Sequence, residues 1–345
     1  MSEFISALAR EGLETALTRV HYLWLVSMLA GSLTVLAYGA NYMVDGAVHL
    51  ARRTGMRRVL IGATVVAIGT SLPEMFVSTI AAWKGNPGLA LGNGVGSVLC
   101  DTGLIFGLTC FLSPLPNNKF VLNRTGWVQV ISATMLVALA LIIKAVTPGT
   151  PYLPRVVGFI FLGLLCFYLY LSVGWAKQGG MDDGEVGDLP LMPLGKSLFL
   201  FSAGLAGILI SCSILVPVAA EIAMRLGVPD DVIAATLVAF GTSLPELTTA
   251  LVCVKKGYPS IILGTIVGSD VLNILFVIGA AAAARPLAIP DNFYLFHFPA
   301  MLAVLYLFRG FIFMNKGGSF KRWQGGSILG VYFLYLILQF GFNLG

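Results

Sequence analysis

Charge is what this sequence has least of. Only 11% of its 345 residues are Asp, Glu, Lys or Arg, where a soluble domain carries about 25%. A chain this poor in charge cannot clothe a large core in solvated side chains, which excludes a water-soluble globular protein. Histidine is nearly missing too. The three present, His21, His49 and His297, are far apart and cluster nowhere. The five cysteines, Cys100, Cys110, Cys166, Cys212 and Cys253, show neither metal-ligand spacing nor a disulfide pattern. They are expected to be small buried hydrophobes inside spans. Gly-x-Ser-x-Gly and His-Glu-x-x-His are both absent, and no Ser–His pair is in register, so the expectation is no enzyme and no cofactor. The net charge of +5 comes from Lys and Arg scattered at the ends of apolar segments. It forms no surface for nucleic acid, and no protein partner is implied.

What is there is apolar sequence: 57% hydrophobic residues and a mean hydropathy of +0.90. Segments of about 20 apolar residues, enough for a helix to cross a bilayer, recur along the chain. Ten are expected, at about 23–50, 59–83, 88–113, 127–146, 156–175, 197–222, 231–255, 259–283, 293–314 and 326–344. Residues 1–22 have helical apolar spacing but too many charges to span, and read as an interfacial helix. A polar linker, 176–196, with Asp182, Asp183, Glu185 and Asp188, separates two five-span halves, 23–175 and 197–345. The fold class is therefore all-α integral membrane protein. Placing the amino terminus outside puts 14 of the 21 Lys and Arg on the cytoplasmic side, as the positive-inside rule requires. Both termini are then extracytoplasmic, and the membrane is expected to be the plasma (inner) membrane. Five is odd, so the second half enters from the opposite side and the halves are inverted repeats. Many secondary transporters are built this way, with the substrate at the midplane.

The chain also repeats itself in detail. Gly69-Thr70-Ser71-Leu72-Pro73-Glu74 returns 172 residues later as Gly241-Thr242-Ser243-Leu244-Pro245-Glu246. The offset holds without a gap, so Ser97 answers to Ser269 and Asp101 to Asn273; 20 of 47 positions from Ile61 to Gly107 are identical to their partners. Each copy places a carboxylate inside a hydrophobic segment, where a charge is costly and usually functional.

The residue types suit a hard cation. Pro73 has no N–H, and its ring crowds the carbonyl of Gly69, so the helix is expected to open near Gly69 and Thr70. Carbonyls freed in mid-membrane need a polar partner. Thr70 and Ser71 add hydroxyls and Glu74 a carboxylate; Thr242, Ser243 and Glu246 repeat the set. In the following helix of each half, Gly92-x-x-x-Gly96 and Gly264-x-x-x-Gly268 suit close helix approach. Ser97 with Asp101, and Ser269 with Asn273, then share a face four residues apart. All these donors are oxygens, the set preferred by Ca²⁺ and acceptable to Na⁺; no soft ligand favours Zn²⁺ or Cu⁺. Glu74, Asp101 and Glu246 would together carry −3. Three such charges cannot share a low-dielectric pocket without cations or protons. One Ca²⁺ plus a proton, or three Na⁺, would neutralise them, and that competition is the logic of exchange.

These residues resemble the alpha repeats of the Ca²⁺:cation antiporter superfamily, in its Na⁺/Ca²⁺ exchanger branch. The motif match covers about 61–107 and 233–279. The resemblance implies that Glu74 and Glu246 are central ligands and that Thr70 and Thr242 give backbone carbonyls to Ca²⁺. It implies that Ser71, Ser97, Ser243 and Ser269, with the carbonyls of Ala67 and Ala239, complete flanking Na⁺ sites. It further implies that spans one and six slide as a pair against the other eight. The family usually carries Asn in the first repeat and Asp in the second at the last ligand position. Here Asp101 and Asn273 reverse that order, so coupling ratio and selectivity do not transfer with the motif. The proton-coupled branch has a Glu after Gly-Asn that Gly92-Asn93-Gly94-Val95-Gly96 lacks, which favours Na⁺ over H⁺. H⁺ coupling, Na⁺ with K⁺, and a passive cation channel remain as alternatives. The short linker has no room for a large Ca²⁺-sensing domain, so the chain looks like a minimal prokaryotic-type exchanger. Asp270, whose repeat partner is Val98, is expected to make a structural hydrogen bond off the site face. Asp45 and Glu221, near span ends, are expected to be solvated or to snorkel.

Overall fold

The computed structural model describes residues 21–54, 58–117, 122–178, 192–226, 240–315 and 318–341. The expected interfacial helix over 1–22 lies outside them apart from its last two residues, as does most of the linker.

Two long helices, α1 (Tyr22–Thr54, 33 residues) and α7 (Leu194–Arg225, 32 residues), run side by side. At about 1.5 Å per residue each exceeds the ~30 Å hydrocarbon layer. Glycine makes their seam. A Cβ on Gly204 would stand 2.4 Å from Met43 N, and one on Gly46 2.5 Å from Phe201 N, so backbone meets backbone.

The first motif lies on α2 (Arg58–Thr70) and α3 (Leu72–Trp83), bent by 42° at Ser71. Pro73 removes the donor that would continue the ladder, and Ser71 leaves helical geometry at φ −83°, ψ 1°. The opening falls one residue beyond the expected Gly69–Thr70. Ser243 repeats the conformation at φ −89°, ψ 4° before α8 (Leu244–Lys256). The residues preceding Phe240 in that span lie outside the described ones.

Next come α4 (Pro87–Leu112) and α9 (Pro259–Ala284), each opened by a proline at the first helical position, where a missing N–H costs nothing. Both loosen into π-helical turns, over Leu99–Phe106 in α4 and Asn273–Ile278 in α9. A third such turn, Gly62–Val66, lies in α2. Nearly all of α9 is buried, which makes it the central post of the molecule. It lies on α2 through glycine: a Cβ on Gly264 would stand 1.9 Å from Val59 O, and on Gly268 2.4 Å from Ala63 O. The matching expectation for the first half fails at Gly92, whose Cβ would find only the Phe293 ring at 3.7 Å. The tight position is Gly94, 2.5 Å from Ile278 Cγ1.

The outer helices are α5 (Thr125–Val146), α6 (Arg155–Gln178), α10 (Phe293–Met314) and α11 (Arg322–Gly341). An antiparallel pair, β1 (Tyr152–Leu153) with β2 (Leu287–Ala288), ties the halves at one end. Phe308 and Phe320 stack at the other and Phe106 meets both edge-on, with centroids 4.6 to 5.7 Å apart. Tyr170, Val146, Phe199 and Leu295 stand exposed, as expected of a lipid-facing belt. Cys166 is exposed too, against the expectation for the cysteines; the other four are buried.

By length and composition, seven helices among the described residues can cross a membrane, or eight if the bent pair is one span. Of the other two expected spans, the one that holds α8 is described only from Phe240 onward. The second, α11, is a 20-residue helix that is not among those seven.

Candidate cation site

The two openings face each other. Glu74 and Glu246 sit one helical turn past Thr70 and Thr242 and are 1% and 2% exposed. They lie close enough to each other and to Asp101 for the three carboxylates to repel. None of the four glutamate oxygens has a hydrogen-bond partner among the described residues. The Thr70 hydroxyl approaches Glu246, but its proton is directed at its own helix, at Val66 O (3.2 Å) and Ala67 O (3.3 Å). Buried polar atoms in folded proteins are almost always paired, and two glutamates with every oxygen unsatisfied imply that something cationic belongs between them.

Around them the halves interlock. Ser243 Oγ lies 3.5 Å from Ser97 Oγ, and Asn273 Nδ2 donates to Asp101 Oδ2 at 3.1 Å. Asp101 Oδ1, Asn273 Oδ1, Ser71 Oγ and Ser269 Oγ are buried and unpaired among the described residues. Eight sequence-expected residues, Glu74, Glu246, Asp101, Asn273, Ser71, Ser97, Ser243 and Ser269, are thus buried at the meeting of the broken helices. Thr70 sits there with its carbonyl at the break, and Thr242 is held there by a bond to Asn93. Ala67 is less available, since its carbonyl already accepts Ser71 N at 2.9 Å. Ala239 lies outside the described residues. Among those residues no three of His, Cys, Asp and Glu come close enough to grip one ion together. A cation here would need amide, hydroxyl and backbone oxygens as well as carboxylates.

Sequence reasoning missed Asn93 as a polar hub. It donates to Glu74 O (3.1 Å) and Ser78 Oγ (3.0 Å) and accepts from Thr242 Oγ1 (3.0 Å). An Asn in mid-span, four residues before Ser97, was the available signal. Asp270 points off the site as expected and accepts from Thr102 Oγ1 and Gln129 Nε2, joining α9 to α4 and α5. Neither Asp45 nor Glu221 is simply solvated: Asp45 Oδ1 pairs with Lys256 Nζ at 2.7 Å, and buried Glu221 with Arg225 at 2.7 Å.

The family model described as sodium/calcium exchanger protein matches residues 24–174 and 196–341. The sodium/calcium exchanger MaX1 of Methanosarcina acetivorans is 30% identical over 338 residues, covering 89% of this chain and 96% of its own. An uncharacterized membrane protein of Methanocaldococcus jannaschii, MJ0091, is 34% identical over 305 residues, covering 88% and 93%. A solved structure of the sodium-calcium exchanger NCX_Mj, soaked with Na⁺ and Sr²⁺, superposes with a TM-score of 0.77 at 29% identity, covering 92% of this chain and 99% of that one. The chain is an integral membrane cation antiporter and belongs to the sodium/calcium exchanger family.

Proposed function

We propose that the protein exchanges Ca²⁺ for Na⁺ by alternating access at one midplane site, within ten spans arranged as two inverted five-span repeats. The observation that carries this is the pair of buried glutamates, Glu74 and Glu246, with all four carboxylate oxygens unpartnered among the described residues. They are the central ligands. The carbonyls of Thr70 and Thr242, with Asp101 and Asn273, complete a Ca²⁺ shell of hard oxygens. Ser71, Ser97, Ser243 and Ser269, with the Ala67 and Ala239 carbonyls, form the flanking Na⁺ positions. Charge explains the coupling: the acids repel one another when bare, so the protein reorients only when filled by one ion set or the other. The glycine seam between α1 and α7 supports their moving as a rigid pair. The names of MaX1 and NCX_Mj agree with Na⁺ as the driving ion, as does the absence of an acid between Gly92 and Gly96. Both termini face outward from the plasma (inner) membrane.

The test is radioactive Ca²⁺ uptake into Na⁺-loaded proteoliposomes, beside vesicles holding only a pH gradient. Uptake that follows outward Na⁺ and ignores protons is expected. Proton-driven uptake would keep the site and change the counter-ion; sustained flux without either gradient would overturn the antiporter reading for these ions.

A further inference from the structure

The two copies of the motif are alike in sequence but unequal in what holds them. At the far end of α8, Lys256 Nζ donates to Asp45 Oδ1 at 2.7 Å and to Asn41 O at 3.0 Å, both on α1. The residue 172 positions earlier, Lys84 at the end of α3, is also a lysine. It is exposed and has no ion pair among the described residues. Where Asp45 would recur on α7 the chain has Pro217, which can neither pair with a cation nor donate. The packing follows the bonds: α8 lies along α1, whereas α3 is not among the elements packed closely on α7.

The near end of α8 is unequal as well. Thr242, at the break, gives its hydroxyl to Asn93. The residue answering to Asn93 is Thr265, too short to make the same bridge; its buried hydroxyl has no partner among the described residues, and Thr70 turns to its own helix instead. The second-repeat half-helix is therefore fastened at both ends. In the first repeat Asn93 grips the start of α3, and the end of α3 is tied to nothing on α7 among the described residues.

We propose that Lys256 and Asp45 are positioning residues that latch the α1–α7 pair in the orientation seen here, closing the ion path at the Lys256 end of α8. This rests on the alternating-access reading. When the pair slides to expose the opposite face, the repeats exchange roles. Lys84 then approaches the place of Asp45 and finds Pro217. One orientation has the ion pair and the other has none, so the resting equilibrium leans toward the latched state. Asp45 and Lys256 are partly exposed, at 42% and 23% of their side chains, so the bias is modest and the latch releases readily.

The experiment measures Na⁺-driven Ca²⁺ transport from each face of sidedness-sorted vesicles for wild type, Lys256→Gln, Asp45→Asn and the reversed pair Asp45→Lys with Lys256→Asp. Each neutralisation should change the ratio of half-saturating Ca²⁺ at the two faces by about threefold, in the same direction. The reversed pair should restore the wild-type ratio. Pro217→Asp, which offers Lys84 a partner in the opposite orientation, should move the ratio in the same direction as the neutralisations. An unchanged ratio in both single variants overturns the latch, as does a change the reversed pair fails to correct. If wild-type transport ignores Na⁺, the Na⁺-coupled reading fails instead, and hydrogen exchange decides the latch by itself. Lys256→Gln should speed backbone exchange over 41–54 and 244–256, and unchanged rates would refute it.

Discussion

Gly264→Ala is the sharpest test of how the site is built. The added methyl would stand 1.9 Å from Val59 O and 2.8 Å from Val59 C, both backbone atoms of α2. A side chain could rotate away; a carbonyl inside a helix cannot. Reaching the 3.4 Å of ordinary contact requires α9 and α2 to part by about 1.5 Å. Overpacking of this kind costs about 1–3 kcal/mol, and a backbone obstacle puts this case near the upper figure. The displacement also travels. Ser269 and Asn273 lie five and nine residues further along the same helix, roughly 7 and 14 Å away at ~1.5 Å per residue. Binding sites tolerate errors of about 0.5 Å. Gly264→Ala should therefore lower thermal stability in detergent and abolish most Ca²⁺ uptake. Gly268→Ala, 2.4 Å from Ala63 O, should do the same to a lesser degree. Gly163→Ala, with nothing within 4 Å, is the control and should match wild type. A Gly264→Ala protein with wild-type melting and uptake would refute the close approach of α9 to α2 and the account of the site that depends on it.

Glu74→Gln and Glu246→Gln should each abolish Ca²⁺ exchange while leaving a folded protein by size exclusion and circular dichroism; full transport by either would remove that glutamate from the site. Asp270→Val, which installs the residue of its repeat partner, strands the Thr102 hydroxyl proton and leaves the Gln129 amide only its long 3.4 Å bond to Thr102 Oγ1. It should cost about 1–3 kcal/mol per unpaired group, read as a lower melting temperature with Na⁺-driven exchange retained. Loss of exchange in a protein of normal stability would make Asp270 part of the transport site.

The parts of this molecule written locally could be read from the chain. Pro73 and Pro245 break their helices because a missing N–H acts within one turn, and the break lands within a residue of where the ring chemistry puts it. Glu74 and Glu246 stood out because a carboxylate in an apolar run has little to do there except hold a cation or a proton. What depends on which faces meet was not readable. Gly92 and Gly94 are equally small, but only Gly94 lies against Ile278. The π-helical turns at Leu99–Phe106 and Asn273–Ile278 widen the helices that carry Asp101 and Asn273, and no residue type announces them. Asn93 bridges three elements through one amide, a role that exists only once α3, α4 and the Thr242 break have been brought together. Asp45 read as a solvated end residue because its partner lies 211 residues away.

The reversed order of Asp101 and Asn273 can be tested because the two side chains touch. Asn273 Nδ2 donates to Asp101 Oδ2 at 3.1 Å, so the pair places one carboxylate and one amide at a single spot. Exchanging them should preserve the local charge and the hydrogen bond with donor and acceptor sides reversed. Asp101→Asn alone leaves two amides facing each other and removes one negative charge from a site whose acids already repel. It should weaken Ca²⁺ uptake and alter its dependence on pH or on Na⁺. Asn273→Asp alone leaves two carboxylates in contact, which should be tolerated only with an added proton or cation. The double variant restores the usual family order. If the pair acts as a unit, it should recover most of the uptake that each single change removes, a non-additivity that only contacting residues show. Additive losses would mean that the carboxylate is needed on the Asp101 side in particular, and that the pseudo-twofold relation between the halves does not extend to the ligands.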